Sequence, residues 1–218
     1  CLLAAYAEGY RALRDETFLP VITSVANYLT STLYDPERHA FKGSQDADVF
    51  SHDPQRQTID GEVYFALPAQ ERRRIGEPYV DPTLYTNFNA MAVRGFVKAY
   101  LATNDPSYLE IAQDTAHFLL TTVTAGDGSY HHYLDPHQGP SPQVGLLADQ
   151  VWVARALLDL YEATGDDNYL GGARDAMEFA RIHLAAPGGG FYDILAAEDA
   201  VGLLRTRDVP LISNALAA

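Results

Sequence analysis

A block of aromatic, acidic and apolar positions occurs three times in this chain, and it limits the architecture more tightly than any local propensity. Its clearest copy reads Tyr161, Gly165-Asp166, Tyr169-Leu170 and Phe179, closed by Gly189-Gly190-Phe191. The columns recur as Tyr100, Asp105, Tyr108-Leu109, Phe118 and Tyr130, and again as Tyr10, Asp15, Phe18-Leu19, Tyr28 and Phe41. In every copy the first Tyr lies 5 residues before the Asp, and the late aromatic 13 residues after it. Spacing this regular marks one supersecondary unit used repeatedly.

The unit reads as a helix, a tight turn and an antiparallel helix. Leu3, Tyr6, Tyr10 and Leu13 fall at helical steps over residues 1–14. Asp15, Asp105 and Asp166 then offer carboxylates to the free amides of a second helix, and Pro106 suits a first helical position. The turns fall near 14–16, 103–106 and 164–167. From Phe88 to Leu101 the only charged or amide side chains are Asn89, Arg94 and Lys98; from Leu146 to Tyr161 they are Asp149, Gln150, Arg155 and Asp159. Helices this apolar are buried on more than one side, whereas 106–123 is one-sided. Inner helices alternating with outer ones predict an all-α fold: an α/α toroid of helical hairpins, incomplete, with about three hairpins, a partial fourth, and short β segments in long loops.

The long connections run over roughly 35–84, 124–144 and 185–210. The first is expected to hold a short strand from Glu62 to Ala66 and a helical turn from Pro68 to Ile75. Because inner and outer helices are antiparallel, every long loop lies at the end where the inner helices begin, and a ligand site is expected there. Asn89 and Gln150 each precede their block's first Tyr by 11 residues. The matching position in the first copy falls before Cys1, and Ser213-Asn214-Ala215 resembles the start of a fourth inner helix, so residues 1–218 read as one partial toroid cut from a longer chain.

Composition narrows the function classes. A net charge of −14, with no basic run longer than Arg72-Arg73-Arg74, argues against nucleic acid and anionic membrane surfaces as partners. The single cysteine, Cys1, excludes an intrachain disulfide and a cysteine-based zinc site. With neither a secretory signal nor a membrane-length apolar run in view, the expected location is cytoplasmic.

Candidate chemistry gathers at the long-loop end. Asp46 and Asp48, in Ser44-Gln45-Asp46-Ala47-Asp48, are either an acid/base or nucleophile pair for a sugar or an Asx turn stabilised by its own side chains. Asp149 begins an inner helix, where the helix dipole favours a carboxylate; it is a catalytic candidate or a plain dipole partner. Asn87 reads as a cap or ligand contact, and Asn89 as an amide that binds a ligand hydroxyl or stitches down a loop. Gln45, Tyr85, Gln150, His131, Tyr192, Asp193 and Asn214 complete the ligand-binding candidates. One histidine of the tract His131-His132-Tyr133 and His137 suits a proton shuttle. The tract lacks the further ligands a metal centre needs, so no metal or other cofactor is expected.

Gly43-Ser44-Gln45-Asp46-Ala47-Asp48, Tyr79-Val80-Asp81-Pro82-Thr83-Leu84-Tyr85-Thr86 and Leu160-Tyr161-Glu162-Ala163-Thr164-Gly165-Asp166 resemble the thioredoxin-fused family related to spermatogenesis-associated protein 20. The resemblance implies an N-terminal thioredoxin-like domain, outside this chain, followed by an α/α toroid similar to those of six-hairpin glycosidases and N-acylglucosamine 2-epimerases. That family's inner helix begins Thr-Asp-Trp-Asn. Here Thr86 and Asn89 match, Asn87 stands for the acid and Phe88 for the Trp. Asp149 matches the acid that begins the family's next inner helix, and Ser213-Asn214 loosely match its late Ser-Gly-Asn region. Two function classes follow: sugar hydrolysis or epimerisation at the long-loop end, or a non-catalytic toroid that binds a glycan or protein and supports the thioredoxin-like domain.

Overall fold

The computed structural model describes residues 2–196 and 206–218. Helices α1 (Leu2–Leu13) and α2 (Phe18–Tyr28) form the first hairpin, and a π-helical turn, Leu29–Leu33, ends it. Two short helices, α3 (Gly61–Ala66) and α4 (Ala69–Ile75), lie in the first long connection. The second hairpin is α5 (Thr86–Thr103) with α6 (Pro106–Thr121), the third α7 (Leu147–Thr164) with α8 (Asp167–His183). A further inner helix, α9 (Leu211–Ala217), follows. This is an α/α toroid arrangement of three hairpins and part of a fourth. The expected loop over 185–210 falls partly, and Cys1 wholly, outside the described residues.

The repeat columns explain the short turns. Arg14, Asn104 and Gly165 each take a left-handed conformation, with φ of 56°, 57° and 72°. Each donates its N–H to the carbonyl of the block's first tyrosine, Tyr10, Tyr100 or Tyr161. That geometry ends an α-helix by satisfying a free carbonyl, and glycine or asparagine reaches it with least strain. The next residue is the repeat aspartate. Asp105 and Asp166 cap α6 and α8 by accepting from the amides of Ser107 and Asn168. Asp15 accepts from the Thr17 amide in the same way, but α2 starts only at Phe18.

α5 packs between α1 and α7, and α7 also meets α9, so the inner helices stand side by side while α2, α6 and α8 lie outside them. Nine residues of α5 and ten of α7 are buried, as two-sided packing requires. Phe41 stacks on Phe96 with ring centres 5.4 Å apart. The inner helices' charges meet one another: Arg94 and Lys98 reach Asp159 at 2.6 Å and 2.8 Å.

Short antiparallel strands organise the long loops: β1 (Tyr34–Asp35) with β2 (Ala40–Phe41), β3 (Ser44–Gln45) with β4 (Val80–Asp81), and β5 (Leu84–Tyr85) with β6 (Tyr133–Asp135), which also pairs β7 (Gly139–Pro140). The strand expected from Glu62 to Ala66 is instead α3. Asp60 caps it by accepting from the Glu62 amide, so a local side-chain bond outweighs the β-propensity of Val63, Tyr64 and Phe65. The expected helical turn at Pro68–Ile75 is α4, stopped at Gly76.

Candidate functional site

The long loops are locked onto the inner helices by one repeated device. Asn89 accepts from the Phe41 amide at 2.6 Å and donates to the carbonyls of Phe41 and Tyr85 at 3.0 Å and 2.9 Å. Asn214 repeats the pattern with Phe191 at 2.6 Å and 2.9 Å and with Pro210 at 2.9 Å. Gln150, at the same helical position, donates to the carbonyls of Gly128 and Ala176 at 2.7 Å and 3.0 Å. All three candidate amides therefore hold backbone. A second device caps α5 and α7: the Thr86 amide donates to the His132 carbonyl, and the Leu147 amide to the Asp193 carbonyl.

One side-chain pair stands out against this scaffold. Asp149, in the first turn of α7, is fully buried, and its Oδ2 accepts from His132 Nδ1 at 3.0 Å. Its Oδ1 meets no partner among the described residues, nor does Asn87 Oδ1, also buried. The Asn87 backbone amide lies close enough to favour the charged form of Asp149. Burial nonetheless holds the Asp149 carboxyl above the usual range, with the His132 bond opposing it. The same bond and charge hold the His132 imidazole above its usual range, against its own desolvation. The His132 side chain is 27% exposed, so solvent reaches a ring backed by a buried carboxylate. Tyr85 packs edge-on to His132 at 5.7 Å between ring centres. Burial and the neighbouring Asp81 push its hydroxyl upward.

The remaining candidates are engaged elsewhere. Asp46 Oδ2 accepts from Ser51 at 2.7 Å and meets His52 Nε2 at 2.9 Å. Asp48 accepts from the Gly61 amide at 2.8 Å, tying the loop to α3. Neither carboxylate shares a hydrogen bond with Asp149 or His132. Gln45 accepts from the Tyr28 hydroxyl at 3.2 Å. His131 Nδ1 faces the Ser141 carbonyl at 2.6 Å. Arg207 lies 3.8 Å from the Tyr192 ring centre, and Asp193 Oδ1 accepts from the Asp208 amide at 2.9 Å. His132 rather than His131 meets Asp149. The repeat marks only the backbone role of this position: His132, two residues past Tyr130, and Asp193, two past Phe191, each offer a carbonyl to the start of an inner helix. Among the described residues no three His, Cys, Asp or Glu side chains gather as metal ligands, and no helix is long and apolar enough to cross a membrane.

No family model matches the chain. An uncharacterized protein of Caenorhabditis elegans is 32% identical over 110 residues, which are 48% of this chain and 15% of that protein. Among solved structures, a sugar epimerase from a ruminal bacterium superposes with a TM-score of 0.67 at 14% identity, covering 99% of this chain and 50% of its own. Cellobiose 2-epimerase from Bacillus thermoamylovorans gives 0.68 at 15%, over 99% and 50%. A GH76 α-mannanase of Bacteroides thetaiotaomicron gives 0.66 at 12%, over 99% and 48%. The chain thus spans about half the length of these structures, and the likeness establishes the toroid fold they share.

Proposed function

We propose that this chain is the part of a sugar-processing toroid in which His132, oriented by Asp149, moves a proton at the carbon beside a sugar carbonyl. The observation that carries this reading is the 3.0 Å bond between His132 Nδ1 and the buried Asp149 Oδ2. A carboxylate on Nδ1 keeps the proton there and leaves the Nε2 lone pair as the base. Nε2 removes the proton from C2 of an aldose, the electron pair moves into the C1–C2 bond as the carbonyl becomes an enediolate, and the proton returns to C1 or C2. In this reading the Tyr85 hydroxyl, held protonated on a ring that packs against His132, donates to the developing oxyanion.

A single base on one face suits aldose–ketose interconversion; epimerisation requires a second group on the opposite face. Hydrolysis is less well supported, because it requires two carboxyls flanking one bond, about 5–5.5 Å or 6.5–9.5 Å apart. Asp46 and Asp48 are bonded within their own loop. The thioredoxin-like domain implied by the sequence resemblance belongs to the proposal only as a further part of the same protein.

Incubating the chain in D₂O with mannose, glucose and cellobiose, and following the C2 proton by NMR, tests the reading. Exchange should occur with at least one sugar, and His132→Gln should slow it by about 100-fold or more. Absence of exchange with every aldose, or release of reducing ends from mannan oligosaccharides without exchange, overturns it.

A further inference from the structure

The first long connection carries a feature that sugar chemistry at His132 does not use. α3 and α4 fold against each other through Tyr64, which is buried and donates its hydroxyl to the Gly76 carbonyl at 2.8 Å. Arg72 lies over this corner, its guanidinium carbon 5.9 Å from the Tyr64 ring centre and 5.6 Å from that of Phe65. Both distances lie within reach of a cation–π attraction. Its Nε is buried and has no hydrogen-bond partner among the described residues. Beside it a hollow of about 190 Å³ is lined by Tyr64, Ala69, Arg72, Arg73 and Glu77.

The charge pattern is unusual for this chain. It carries 29 acidic against 15 basic residues, yet Arg72, Arg73 and Arg74 form no ion pair among the described residues. Glu77 lines the same hollow, and it too makes no ion pair. A buried guanidinium nitrogen without an acceptor calls for one. Two arginine forks on adjacent residues match a group with several oxygens and more than one negative charge, whereas a lone carboxylate satisfies one fork. A phosphoryl group, with a charge of about −1.5 to −2 at neutral pH, meets both demands.

We propose that Arg72 and Arg73 form a binding site for a phosphoryl oxyanion in the hollow between α3 and α4, with Glu77 moderating its affinity. Inorganic phosphate and the phosphoryl group of a sugar phosphate share this chemistry. The second source rests on the sugar-processing reading above; the first does not.

Titrating the intact chain by calorimetry and ³¹P NMR with inorganic phosphate, mannose 6-phosphate and mannose tests the site. Phosphate should bind, Arg73→Gln should weaken it about tenfold, and Glu77→Gln should tighten it. Mannose should not compete. Tighter binding of mannose 6-phosphate than of phosphate assigns the site to a sugar phosphate; equal binding assigns it to the free ion. Arg72→Gln should abolish binding, and if that variant loses its helical circular dichroism the exposed Arg73 position decides. Absence of phosphate binding, or binding that Arg73→Gln leaves unchanged, overturns the site and reduces the arginines to partners of the α4 C-terminus. Arg73→Gln leaves C2 exchange at His132 intact, so each proposal fails separately.

Discussion

Replacing Asn89 by Ala probes the device that locks each loop to the next inner helix. Asn89 is fully buried and makes three hydrogen bonds, of 2.6 Å, 3.0 Å and 2.9 Å, to the backbone of Phe41 and Tyr85. At about 1 kcal/mol net for each, their loss costs about 3 kcal/mol. Alanine recovers about 0.5 kcal/mol through its better helix propensity. The Phe41 amide and carbonyl, in a residue 3% exposed, are then left without partners, which adds about 1 kcal/mol or more. A destabilisation of about 3–4 kcal/mol results, or a fall in Tm of roughly 6–16 °C for a domain of this size. Asn214→Ala removes the same three bonds from a half-buried site on the seven-residue α9 and should cost about 1 kcal/mol. Urea titration followed by circular dichroism measures both, and hydrogen exchange at the Phe41 amide reports the local release. If Asn89→Ala costs under about 1 kcal/mol, or no more than Asn214→Ala, then the loop is held by its apolar contacts and the amide column is incidental.

The pairing of His132 with the buried Asp149 makes stability depend on pH. Both folded pKa values lie above their ordinary values, 6.5 for His132 and 3.8 for Asp149. Each contribution is therefore present below the unfolded pKa and lost as pH rises through the folded one. Stability should decline as pH rises from 6.5 through the folded pKa of His132, and His132→Gln should remove that step in melts across pH. Asp149→Asn should bring the His132 pKa down, because the bond and charge are lost while burial remains; NMR titration of the ring reads it, and an unchanged pKa refutes the pairing. Gly128 sits at φ 87°, where a Cβ would lie 2.7 Å from the Asp175 carbonyl oxygen. Gly128→Ala should cost about 2 kcal/mol or more by chemical denaturation, against about 1 kcal/mol for Gly126→Ala, where φ is 89° but the space is open.

The hairpin architecture was legible because its causes are local. A turn needs a left-handed residue followed by an aspartate that accepts a nearby backbone amide, and the columns Arg14-Asp15, Asn104-Asp105 and Gly165-Asp166 supply both in every copy, although only Asp105 and Asp166 cap the helix that follows. The burial pattern of α5 and α7 follows from an equally local property, the scarcity of charge around each helix. The segment Glu62–Ala66 misled because its apolar residues fit a strand as well as a short helix, and one cap at Asp60 chose between them.

Sequence alone thus determined the hairpins, their turns and the end of the ring where the loops gather, since each depends on residues within a few positions of one another. Tertiary structure decided which polar groups meet. His132 reaches Asp149 across 17 residues, and Asn89 reaches Phe41 across 48. His131 and His132 are indistinguishable by composition. Only the path of the loop over the start of α7 turns one toward a backbone carbonyl and the other toward a buried carboxylate.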